Sequence, residues 1–244
     1  KGELHFARAD KFNDRYEGSI PRKNFDEHLE LMGYGTDHNE KESVKKELET
    51  KFEEKKRKAA ISCWHINENE SAAMWEIYSR AGHGIAVKTS INKLYEIPKP
   101  DDYEIELFKV NYIDFNNEYN EAYNYYELLP FINKRYEFEH EREFRIMLYQ
   151  NGSDDYPYKD FSISLPIKAS DIVKNGFKSK LKDIPEEGIK LNINSSQLIE
   201  DIVASPYMEP FEVNTIQSIL DLYNTVYGSN FRIRRSCLYD IVKY

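Results

Sequence analysis

Between Phe138 and Arg145 the chain reads FEHEREFR, with carboxylates at 139, 141 and 143 and a guanidinium at 145. In an extended chain Glu139, Glu141, Glu143 and Arg145 project from one face, while Phe144, Ile146 and Leu148 turn to the other and toward a core. Three like charges in a row repel unless solvent or a cation separates them, and Arg145 offers Glu143 such a cation. A surface edge strand would hold this string without any chemistry. An acid-rich strand start beside a core is also where a catalytic carboxylate can sit, because partial dehydration tunes its proton affinity.

A second acidic group lies in ADKFNDRYEG, which brings Asp10, Asp14 and Glu17 close together. Such carboxylates suit a hard cation such as Mg²⁺, or the hydroxyls of a ribose. The structural account is slightly the better one: Asn13 and Asp14 are what a tight turn favours, and Glu17 has Arg8 or Arg15 to pair with. The stretch CWHINENESAAMWEIYSRAGHGIAVKTS gathers both tryptophans with His65 and His83. At helical spacing Ser71, Met74, Trp75 and Tyr78 share a face, and Glu76, Ser79 and Arg80 share another. Met74 and Trp75 read as core, whereas Tyr78 carries a hydroxyl that needs a partner if buried. No third ligand stands at metal-like spacing from His65 or His83, so both read as structural or surface residues.

These residues must be positioned by a folded core, and 244 residues that are 40% hydrophobic and 14% aromatic can build one. The net charge of −9 argues against bulk binding to nucleic acid. Cys63 and Cys237 are too few for a disulfide framework, and no apolar run reaches membrane-spanning length. A reducing, cytoplasmic setting without membrane association is expected. The chain opens at KGELHFARAD, already running into a strand, so a preceding segment is expected.

Patterning predicts strands at Gly2–Asp10, Ala59–Ile66, Gly84–Ser90, Glu104–Phe115 and Glu143–Gln150, then FSISLPI, GIKLNIN, IEDIVASP and FRIRRS. A helix is predicted from Asn67, with Asn67 and Glu70 as a capping box and Gly82 near its C-cap, and it should be largely buried together with the strand before it. A short helix should run from after Ser90 through Leu94, another helix from Phe211 to Tyr227, and EAYNYYELLPFINKRYEF should be mostly helical, broken near Pro130. Glu40–Lys58 carries Glu–Lys pairs three and four apart and few apolar residues, which predicts a protruding, solvated helix that adds little to the core. Strands and helices mix without a steady β-α-β beat. The reading is α+β, a single mixed and mostly antiparallel sheet flanked by helices, with one domain over 1–244 and a charged helical insertion over 38–58.

The strings FARADKFNDRYEGSIP, SCWHINENESAAMWEIY, GIAVKTS, KVNYIDF, KRYEFEHEREFR and IVASP, in that order, resemble the bacterial domain-of-unknown-function family 2971. Its members usually begin with a further strand and helix carrying a Tyr-Arg-Tyr or Tyr-Lys-Tyr string, and often have Pro where Arg15 stands. The order of elements is in turn similar to ADP-ribosyltransferase-like folds, with Glu141-Arg142-Glu143 as their Glu-x-Glu string. That likeness implies NAD as cofactor, Glu143 as the catalytic carboxylate and Glu141 assisting it. Trp75 or Tyr78 would line the nicotinamide pocket, Arg8 would lie near the phosphates, and Asp14 and Glu17 would face the ribose. The chain would be an NAD-consuming effector, in phage defence, taking a small-molecule or nucleotide ligand. A Mg²⁺-dependent nuclease using Asp10, Asp14, Glu17 and Glu141, and a non-catalytic binding or sensor module, are the alternatives.

Overall fold

The computed structural model describes residues 2–31, 38–79, 82–124, 128–150 and 183–240. The FSISLPI strand expected at 161–167 and the Arg80 side chain lie outside them. The elements are, in chain order, β1 (Gly2–Arg8), α1 (Arg22–Leu31), α2 (His38–Lys56), β2 (Ala59–His65), α3 (Ala72–Tyr78), β3 (Ile85–Lys88), α4 (Ile91–Tyr95), β4 (Glu104–Lys109) and β5 (Asn111–Ile113). There follow α5 (Leu129–Ile132), β6 (Asn133–Arg135), β7 (Glu143–Tyr149), β8 (Ile189–Ile193), α6 (Ser195–Leu198), β9 (Asp201–Ala204), α7 (Pro210–Tyr227) and β10 (Ile233–Arg235). The expected α+β architecture is the one found, with its strands divided among sheets of order β4-β7-β2-β1-β8, β10-β9-β3 and β5-β6. Two compact units result, one comprising Lys1–Leu4, His65–Pro98 and Lys190–Tyr244, the other His5–Trp64 and Lys99–Ile189.

In the second unit β7 is an interior strand of its sheet, antiparallel to β4 with Phe108 opposite Arg145 and Leu107 opposite Ile146. The alternation expected from the sequence holds from Glu143 onward, whereas Glu139 and Glu141 lie in a 3-10 turn rather than an extended chain, and both faces of β7 are covered. Phe144, Ile146 and Leu148 are buried on one side, and Glu143, Arg145 and Met147 are buried on the other. Met147 packs there with Ala9, Ala59, Ile61, Leu128 and Phe131. A surface edge strand is thereby excluded, since interior strands lose water on both faces.

Three local expectations change for tertiary reasons. The long strand expected over 104–115 breaks at buried Val110, whose N–H bonds Glu143 O at 2.9 Å before the chain leaves to pair with β6. The helix expected around Pro130 is reduced to the single turn α5, because parallel pairing of Tyr112 with Lys134 draws 133–135 into a strand and 136–141 into a 3-10 turn. The helix expected from Asn67 starts later, with Ser71 as N-cap accepting from Met74 N at 3.4 Å. Glu70 does not cap it; its carboxylate instead accepts from Trp75 Nε1 at 3.1 Å and Arg234 Nη1 at 3.0 Å. Trp75 is buried as expected, but the helix as a whole is not, and Tyr78 is 63% exposed. In β2 the first four residues are buried.

α2 also adds more to the core than the protruding, mostly exposed helix expected. Val44 and Leu48 are buried against Leu29, with Phe25 and Phe52 packed beside them. Val44, Leu48 and Phe52 recur every fourth residue, which places them in one narrow stripe against α1 while the charged residues cover the rest. Truncating Leu48 to Ala should therefore lower unfolding free energy by about 2–3 kcal/mol in urea titration, whereas Glu49→Ala should change it by less than about 0.5 kcal/mol. Trp75→Ala should cost about 3–5 kcal/mol in the same measurement, and an unchanged midpoint would contradict its place in the core.

Candidate functional site

Glu17 reaches the core because its turn is tightly specified. Asp14 Oδ1 accepts from Tyr16 N at 3.1 Å, and Glu17 N bonds Asp14 O at 3.1 Å, a local arrangement that Asp favours. Gly18 follows at φ 68°, and a Cβ there would come within 2.8 Å of the Phe131 ring and 3.0 Å of Lys56 Cγ. Only glycine meets both demands, and the resulting close turn directs the preceding carboxylate inward.

That carboxylate meets Arg145, which is 0% exposed. Arg145 donates from Nη1 and Nη2 to the two oxygens of Glu17 at 2.5 and 2.9 Å, from Nε to Glu143 Oε2 at 2.6 Å, and from Nη1 to Phe131 O at 2.8 Å. The Phe12 ring lies 5.9 Å from its guanidinium carbon. Lys134, carried on β6, donates to Glu141 Oε2 and to Glu143 Oε1 and sits 4.5 Å from the Phe138 ring centroid. Tyr112, its partner across the β5–β6 pair, accepts at its hydroxyl from Glu143 N at 2.8 Å. Arg142 at φ 42° and ψ 55° is the non-glycine residue with positive φ among those described. This left-handed residue bends the chain between the 3-10 turn and β7, so that Glu141 and Glu143 converge on one lysine. The result is a chain of charges running Glu17, Arg145, Glu143, Lys134, Glu141.

The two glutamates of this chain titrate apart. Burial raises Glu143, but the hydrogen bond from Glu141 and the charges of Arg145 and Lys134 outweigh it and hold its carboxyl well below the usual carboxylate range. Burial and the same hydrogen bond to Glu143 push Glu141 up to about 7, against the pull of Lys134. One proton therefore rests on Glu141 and is shared toward Glu143. With it the five groups sum to zero, and without it a buried negative charge remains. Cys63 keeps surface open to solvent, yet crowding around its thiol and the nearby Glu143 and Glu17 push it far above its ordinary range, so it is no thiolate nucleophile.

The other expected site residues fall as follows. Asp14 accepts from Arg135 Nη2 at 3.0 Å, and Arg135 stacks 4.5 Å from the Tyr16 ring. Glu17 pairs with neither Arg8 nor Arg15 but with a residue 128 positions later. Arg8 is spent elsewhere: it grips Asp10 through two bonds of 2.7 and 2.9 Å and donates to Ile184 O at 2.8 Å. Trp75 and Tyr78 belong to the first unit, as do His65 and His83, the latter paired with Glu212 at 2.8 Å. Sequence reasoning missed Lys134 and Tyr112. Lys134 is one cation within an aromatic, acidic stretch, and only the β5–β6 pairing singles it out. Among the described residues no group of three or more His, Cys, Asp or Glu side chains could hold a metal ion. The carboxylates converge on an ammonium and a guanidinium, which stand where a divalent cation would have to be.

No curated protein and no solved structure matches the chain. Residues 74–146 do match the model of a family described as a protein of unknown function (DUF2971), and that stretch, under a third of the chain, carries Tyr112, Lys134, Glu141, Glu143 and Arg145.

Proposed function

We propose that the chain is a bacterial NAD-consuming, ADP-ribosyltransferase-like enzyme, an effector in phage defence, in which Glu141 is the proton-accepting residue and Glu143 its permanently ionised companion. The observation that carries this reading is the placement of Glu141 and Glu143 on one lysine, with Arg145 bonded to Glu143, which drives the proton affinities of the two carboxyls apart in the pattern by which acid and base roles are divided. In the proposed step the bond between nicotinamide nitrogen and ribose carbon breaks, and its electron pair leaves with neutral nicotinamide. The cationic ribose is stabilised by the negative charge of the pair. A hydroxyl of water or of an acceptor attacks that carbon, and its proton passes to deprotonated Glu141. A base poised near 7 suits this role.

The roles differ from those the resemblance alone implies. Both Glu143 oxygens already accept from cations, Oε2 from Arg145 and Oε1 from Lys134, so Glu143 acts through the group it positions. Glu141 lies at the open end of the charge chain. The nuclease alternative has less support, because the acidic turn reaches the Glu143 strand through Arg145 rather than by carboxylates facing a common centre. A non-catalytic binding module is the second reading, favoured by the closure of the network, in which Glu17, Glu143 and Arg145 have almost no surface.

Nicotinamide release from NAD should rise with pH to a plateau, with a limb near 7. Glu141→Gln should remove that limb and lower the rate by about 10²–10⁴-fold. Absence of turnover in the wild type, or an unchanged profile in Glu141→Gln, would favour the non-catalytic reading. Glu143→Gln should instead destabilise the fold by about 3–5 kcal/mol, since it leaves Arg145 and Lys134 short of charge inside the protein. Stability offers a separate readout. Glu141 holds its proton more tightly folded, at about 7, than in the unfolded chain, near 4.5. Its contribution is complete below the unfolded value and is lost as pH rises through the folded one. The thermal midpoint should fall from pH 6 to 8, and less steeply in Glu141→Gln.

A further inference from the structure

α7 shows two different faces. One carries Gln217, Tyr223 and Asn224 and holds the segment before and into β10: Gln217 Oε1 accepts from Ile233 N at 2.9 Å, and Asn224 Oδ1 accepts from Phe231 N at 2.8 Å. The Tyr223 and Phe231 rings lie 5.9 Å apart. The opposite face is apolar and open. Phe211, Leu222 and Val226 are each 70% exposed, and Ile219 is 61% exposed. With Thr215 they recur at spacings of four, four, three and four, inside an arc of about 80° on a helix advancing roughly 100° per residue. A stripe of this kind on a helix of 18 residues is not needed to hold the helix in its own unit.

We infer that this face is a two-fold interface between copies of the chain, in which α7 packs antiparallel on α7 of a second copy. The order of residues along the stripe supports a self-match. With the axis between Ser218 and Ile219, Phe211 faces Val226, Thr215 faces Leu222, and Ser218 faces Ile219, so each large side chain meets a smaller one. The stripe carries no charge. The acids beside it are already engaged, Glu212 with His83 at 2.8 Å and with the Glu209 N–H at 2.8 Å, and Asp221 with Gln217 at 2.8 Å. In this register neither acid faces an acid of the other copy. Antiparallel packing also opposes the two helix dipoles favourably. Occluding the exposed parts of these side chains on both copies, with the polar residues beside them, removes on the order of 1,000 Å², the scale of a small specific interface. The isologous geometry closes at two copies.

Sedimentation of the purified chain over a wide concentration range tests this. A concentration-dependent dimer is expected. Leu222→Glu should raise the dissociation constant by roughly 100-fold, because each copy would bury an unpaired carboxylate, while its circular dichroism stays unchanged at this exposed position. Val226→Glu serves as a second disruption at the end of the stripe. Thr215→Lys combined with Leu222→Glu should restore the dimer, since those positions face each other only in the antiparallel register. A monomer at all concentrations would overturn the proposal. So would a dimer indifferent to both glutamate substitutions, or failure of the paired substitution to restore association.

Discussion

A guanidinium with no surface sets the terms for the second unit. Arg145 cannot shed its charge, so every donor it carries must find an acceptor within the protein, and a carboxylate is the acceptor that offsets the lost hydration best. Bonds to Glu17, Glu143 and Phe131 engage four of its five N–H donors. Much of the local architecture follows. The Asp14 turn exists in a form that aims Glu17 inward, Gly18 permits the close approach of Phe131, and α5 ends where the Phe131 carbonyl can accept. These parts come from three separate regions of the sequence, so the ion group ties their positions together.

The second cation acts differently from the first. Lys134 is shared between two carboxylates, and its single charge cannot satisfy both as full anions in a dehydrated place. One of them therefore keeps a proton near neutrality. Glu143, which also has Arg145, stays ionised, and Glu141 titrates. The asymmetry arises from position on the backbone: Glu143 begins β7 and points along the same face as Arg145, while Glu141 ends the 3-10 turn on the far side of the bend at Arg142. A buried charge group this well connected is a means of specifying one arrangement of strands, and its one titrating member is the group to which the proposed chemistry is assigned.

The first unit relies on apolar packing and on smaller polar clusters. Glu70 illustrates this, drawing together Trp75 from α3 and Arg234 from β10. Its three-stranded sheet leaves β3 at an edge with all four residues exposed, and α7 offers more apolar surface than its own packing uses.

Residue types and alternation by themselves determined a good deal of this protein. They gave the α+β class, the strands β1, β2, β7 and β9, the helix α7, the burial of Trp75 and the pairing of Glu143 with Arg145, which lie two residues apart on one strand face. The apolar stripe of α2 is likewise written in the sequence, since Val44, Leu48 and Phe52 stand at helical spacing. Tertiary structure alone decided what faced that strand. Whether Glu143 and Arg145 met solvent or a second layer depended on β7 lying between β4 and β2, a matter of strand order that no local pattern encodes. The partnership of Glu17 with Arg145 spans 128 positions, and that of Lys134 with Glu141 and Glu143 needs a two-stranded sheet in which 133–135, expected within a helix, pairs with the end of the strand expected over 104–115. The physical reason is common to all three: a charge is indifferent to sequence distance, and which opposite charge it meets is settled by where dehydration leaves it no water.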